Sequence, residues 1–120
     1  MARAQEHDSH SVFCDRADME TAVREIVERI VREVHPTRII LFGSIARGEP
    51  CIDSDVDLLV VMPEGTPKRP TAQILYRHLR GLPLPVDILV TTAADLARHQ
   101  NNPGLIYRTI LQEGRQLYAA

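Results

Sequence analysis

The chain has no tryptophan, and its two phenylalanines and three tyrosines amount to 4% of 120 residues. Aliphatic side chains must therefore build whatever core it has. No apolar run approaches the roughly 20 residues that a membrane-spanning helix requires, which excludes membrane-spanning helices. The opening MARAQEHDSHS lacks the apolar segment of a secretion signal and reads, over residues 1–17, as a flexible polar tail. Only two cysteines occur, Cys14 and Cys51, far apart and without metal-ligand spacing. That argues against a disulfide framework and for reduced thiols in a cytoplasmic protein. The five histidines form no H-x₃-H pair, so a zinc site is not expected. A basic surplus is missing too: the formal charge is −2. Direct binding to a nucleic-acid backbone is not expected, although a single nucleotide needs only a few local charges.

What is present fits one globular domain over residues 18–120, with an ordinary 44% apolar and 25% charged content. From Asp18, the apolar residues Met19, Ala22, Val23, Ile26, Val27, Ile30, Val31 and Val34 recur at helical spacing, with Glu25, Glu28, Arg29 and Arg32 on the other face. This predicts an amphipathic helix with Asp18 as N-cap and Pro36 beyond its end. TRIILFG (37–43), DVDLLVVM (55–62) and LPVDILVTT (84–92) read as buried strands. The stretch PEGTPKRP (63–70) holds three prolines and a glycine and reads as a loop. Helices are predicted over 71–81, with Gly81 at the C′ position, over 93–99 and over 104–113, ended by Gly114; RQLY then adds a small edge strand. The alternation of elements implies an α/β fold in which helices cover a small sheet.

The segment GSIARGEPCIDSDVD (43–57) carries the chemistry. Residues of a strand alternate between faces, so Asp55 and Asp57 project to the same side about 7 Å apart. Asp87 stands among apolar residues in the third strand. Carboxylates that converge beside a core repel one another, and a hard cation such as Mg²⁺ removes the difficulty. Gly43 ends a strand, and a helical turn after it would turn free N–H groups toward a phosphate, joined by the Ser44 hydroxyl and the Arg47 guanidinium. Two other patterns fail. GSIARGE has Glu49 where a P-loop needs lysine, and DSDVDLLVVMPE has Leu58 where an EF-hand loop needs glycine. Asp53 reads as a loop acid.

The string G-S-x₁₀-D-x-D, here Gly43-Ser44 to Asp55-Val56-Asp57, with the later lone Asp87, resembles the signature of the polymerase-β-like nucleotidyltransferase superfamily. The resemblance covers about residues 20–118. The small size and the ending LQEGRQLY resemble the minimal nucleotidyltransferases, the antitoxins paired with HEPN-domain toxins. It implies a small mixed sheet flanked by helices. It implies that Asp55 and Asp57 ligate two Mg²⁺ ions on the nucleotide phosphates, that Asp87 ligates the catalytic ion and helps deprotonate the attacking hydroxyl, and that Gly43, Ser44 and Arg47 hold the phosphates. The expected reaction transfers AMP from ATP, with loss of pyrophosphate.

Larger relatives carry a further domain that grips the acceptor, and the chain has no stretch for that task. Another protein must therefore present the acceptor, or a second copy complete the site; the resemblance to the HEPN-paired members implies a tyrosine hydroxyl of a HEPN-type ribonuclease toxin. A non-catalytic antitoxin that masks its partner, or a transferase acting on a small molecule such as an antibiotic, are the alternatives. The basic residues Lys68, Arg69, Arg77, His78 and Arg80 read first as a solvated face and second as a surface for an acidic partner. Tyr76, Tyr107 and Tyr118 read as packing residues.

Overall fold

The computed structural model describes residues 16–46, 56–82, 84–99 and 106–120. Cys14, Arg47, Cys51, Asp53 and Asp55 lie outside the described residues, as does the tail up to residue 15. Helix α1 (Arg16–Val34) is followed by strand β1 (Arg38–Phe42), a single helical turn α2 (Gly43–Ala46) and strand β2 (Val56–Met62). Helix α3 (Lys68–His78), strand β3 (Val86–Thr92), helices α4 (Ala93–His99) and α5 (Ile106–Glu113) and strand β4 (Arg115–Ala119) complete it. The four strands form one sheet in the order β3-β2-β1-β4. β1 runs antiparallel to β2 and β4, whereas β2 and β3 are parallel. The sheet is thus mixed, as the resemblance implied.

Helices cover both faces. On one side Ala22, Val23, Ile26 and Ile30 of α1 and Leu75 of α3 pack with Ile39, Leu41, Val56, Leu58, Val60 and Val90. On the other, Leu96 of α4 and Ile110 of α5 pack with Ile40, Leu59 and Val61. β2 is buried on both faces, which is why DVDLLVVM lacks the polar alternation of a half-exposed strand. Among the described residues no helix is long and apolar enough to cross a membrane.

Three boundaries differ from the sequence reading. α1 begins at Arg16, so Asp18 lies inside its first turn and is not the N-cap. α3 begins at Lys68, inside the stretch read as a loop, with Pro67 as N-cap and Pro70 in the first turn. The first turn needs no N–H donors, so proline is tolerated there. The Thr71 hydroxyl and N–H both donate to the Pro67 carbonyl, at 2.7 and 3.2 Å. α3 ends at His78 with Leu79 as C-cap, and Gly81, at φ +83°, sits one position later than the expected C′.

Arg29 ties α1 to α3, donating to the His78 carbonyl at 3.2 Å, while the His78 ring faces Glu33 at 3.4 Å. At the C-terminal ends of β2 and β3, α4 is held by two caps. The Glu64 carboxylate accepts from the Ala94 N–H at 2.7 Å, and the Thr92 hydroxyl accepts from the Asp95 N–H at 3.3 Å.

Candidate active site

One row of residues crosses the opposite end of the sheet. Phe42, the last residue of β1, is the register partner of Asp57, and Asp57 is the register partner of Asp87. Register partners share a face, and by alternation this is the α4–α5 face, on which Leu59, Val61 and Leu89 lie. Neighbouring strands are about 4.8 Å apart, so the two carboxylates rise from adjacent backbone positions. Asp57 is partly buried and Asp87, on an edge strand, is exposed. The backbone brings them together through the parallel β2–β3 pairing, supported by the Val56 N–H bonded to the Pro85 carbonyl at 2.9 Å.

Gly43 follows Phe42 directly, and its conformation is tied to Asp57. Its φ of +80° is in the left-handed region that residues with a Cβ rarely adopt. A Cβ added there would overlap Oδ2 of Asp57 and lie 3.1 Å from its Cγ. The Asp57 carboxylate therefore fills the space over the Gly43 α-carbon. The turn α2 starts at this glycine and leaves its leading backbone N–H groups without intrahelical acceptors. Ser44 is the second residue of the turn.

The structure thus unites three of the residues singled out by sequence: Gly43, Asp57 and Asp87. Ser44 adjoins them along the backbone. Among the described residues no group of three or more histidines, cysteines, aspartates or glutamates gathers as a metal site. The donor set that is described, two carboxylates in adjacent register, fits a hard divalent ion because it is all oxygen.

Sequence reasoning missed two features. It did not single out Phe42, whose place opposite Asp57 follows only from the β1–β2 register. It assigned Gly43 to phosphate alone, whereas the glycine also makes room for a carboxylate. No local pattern signals either, since both depend on strand pairing.

A second acidic position is structural. Asp95 at the far end of the sheet accepts from Lys68 and pairs with Arg98 at 3.1 Å. The Lys68 hydrogen bond holds its carboxyl below the ordinary 3.8, opposed by desolvation and assisted by the charges of Lys68, Arg98 and His99.

Comparison with known proteins bears on this geometry. The family model for the nucleotidyltransferase domain matches residues 22–116, a span that includes Gly43, Asp57 and Asp87. No curated protein matches the sequence. Among solved structures, the chain is similar to a candidate nucleotidyltransferase from Sulfolobus solfataricus, at 22% identity and a TM-score of 0.58 over 82% of this chain and 78% of that one. At that identity the likeness concerns the fold.

Proposed function

Since the chain belongs to the nucleotidyltransferase domain family, we propose that it moves AMP from ATP onto a protein hydroxyl, a tyrosine of a HEPN-type ribonuclease toxin, and so acts as the toxin's antitoxin. The observation that carries the catalytic part of this reading is the pairing of Asp57 with Asp87 in register, with Gly43 packed under Asp57. The reading of the acceptor draws on the exposure of Asp87. An exposed carboxylate on an edge strand suits an acceptor that arrives on a large partner.

In this reading Asp55 and Asp57 would hold two Mg²⁺ ions, with Asp87 as a further ligand of the catalytic one. Magnesium, when bound with the nucleotide, supplies neutralising charge at the phosphate oxygens and at the attacking and leaving oxygens. The protein's own groups orient the reactants. Backbone N–H groups of the α2 turn, with the Ser44 hydroxyl and Arg47, hold the β- and γ-phosphates so that the α-phosphorus faces the sheet edge. Asp87 accepts the proton of the tyrosine hydroxyl. The phenolic oxygen bonds to the α-phosphorus, the bond to the β-phosphate bridging oxygen breaks, and pyrophosphate leaves.

The test combines the purified protein, ATP, Mg²⁺ and a HEPN-type partner, with intact mass as readout. The partner gains one or more AMP units. Asp57→Asn and Asp87→Asn each slow transfer by about 100-fold or more, the scale for a group acting on the transition state. Full transfer by either variant overturns the site. A partner silenced equally well by wild type and variants, with no added mass, overturns catalysis in favour of masking.

A further inference from the structure

The basic residues of α3 and the turn after it do not act as one cluster. Lys68 donates to Asp95, and His78 faces Glu33. Arg69, Arg77 and Arg80 are exposed and, among the described residues, have no hydrogen bond or ion pair. Arg69, Gln73, Tyr76 and Arg77 share one stripe of α3 at i, i+4, i+7 and i+8, and Arg80 follows in the turn after the helix. The opposite stripe, Thr71, Leu75 and Leu79, is buried. The arginines therefore face away from the core, on a chain whose overall charge is −2.

Tyr76 fixes where this stripe sits. Its hydroxyl accepts from the Ile88 N–H at 2.8 Å and donates to the Ile88 carbonyl at 3.4 Å. β3 is an edge strand, so this hydroxyl occupies outward-facing backbone groups of the open edge, one residue from Asp87. α3 leads from the end of β2 back to the start of β3, which brings Arg77 and Arg80 toward the end that carries Asp57 and Asp87. They lie on the α1 side of the sheet and around the β3 edge from the two carboxylates, whereas Arg69 lies at the other end beside Lys68 and Asp95. With Ile88 engaged by Tyr76, an incoming chain meets side chains at this position rather than free strand edge. Tyr76 itself is 43% exposed and offers an aromatic contact among the arginines.

We propose that Arg77 and Arg80, with Tyr76, form the docking surface for an acidic protein that presents its hydroxyl to the Asp57–Asp87 end of the sheet; the second half of this statement rests on the transfer reading above. Unpaired guanidinium groups steer an acidic surface toward them and orient it.

The probe is a labelled poly(Glu,Tyr) copolymer, acidic and rich in tyrosine hydroxyls, with poly(Lys,Tyr) and single-stranded poly(U) as contrasts. Fluorescence anisotropy reads binding, and α-labelled ATP with Mg²⁺ reads transfer. The wild type binds poly(Glu,Tyr) in preference to both contrasts, less tightly as salt rises. The R77E/R80E variant binds it about tenfold more weakly, and R77Q/R80Q falls between, with the circular dichroism spectrum of the folded protein retained. In the transfer assay KM for poly(Glu,Tyr) rises about tenfold in the reversal variant while kcat holds. Equal binding by wild type and reversal variant overturns the docking surface, and tighter stripe-dependent binding of poly(U) overturns it in favour of an RNA surface. Stripe-dependent binding without nucleotide transfer leaves the docking surface standing and removes the transfer reading. Transfer with the same KM in both proteins does the reverse.

Discussion

At the scale of single residues, Gly43 meets two demands at once: a left-handed backbone and a vacant β-position for the Asp57 carboxylate. The two are separable by experiment. Gly43→Ala is expected to destabilise the fold by about 2 kcal/mol or more, combining left-handed strain of about 1–2 kcal/mol with displacement of the carboxylate. In an Asp57→Ala background the same change costs only the backbone part, about 1 kcal/mol, because the overlapping oxygen is gone. Urea unfolding of the four proteins of this cycle gives the coupling, and additive costs would show that the carboxylate is not what the glycine accommodates. Much of this was legible beforehand. The glycine after an apolar run and the lone acids among β-branched residues marked Gly43, Asp57 and Asp87 as exceptional. Their mutual contacts were not legible, since a one-residue slip of β1 against β2 would turn Asp57 to the other face.

At the scale of elements, α4 shows how a short helix is held. Its seven residues bury only Leu96, and its start is tied by Glu64, Thr92 and the Lys68–Asp95–Arg98 group. The folded Asp95 carboxyl titrates below 3.8, so the unfolded chain binds this proton more readily. Its contribution to stability is present above pH 3.8 and is lost as pH falls through the lower folded value. Asp95→Asn is therefore expected to unfold at lower urea than wild type at pH 7, with the difference closing below pH 3.8. A difference that persists in acid would mean that the group acts through packing instead of charge. The strands and α4 followed from their apolar pattern nearly residue for residue. The start of α3 did not, because proline signals a break everywhere except in the first turn of a helix, and nothing local says which turn that will be.

At the scale of the whole molecule, the site joins elements from both halves of the chain, so ligand binding and global stability are linked. If ATP and Mg²⁺ engage the α2 turn and the carboxylates together, saturation at 100 times Kd adds about 2.7 kcal/mol. For a chain of this size that raises Tm by several degrees, on the order of 4 °C per kcal/mol. Thermal scans should show the rise for wild type with both ATP and Mg²⁺, a smaller one with ATP alone, and none for Asp57→Asn. The strand order β3-β2-β1-β4 was beyond local pattern, because pairing partners are chosen by the packing of helices on both faces. That order has a consequence during synthesis. α1, β1, the α2 turn and β2 leave the ribosome before β3, and Asp87, thirty residues after Asp57, reaches it only once α3 has crossed over and β3 has paired alongside. If transfer needs both carboxylates, a nascent chain that has folded only as far as β2 is inert until the crossover closes.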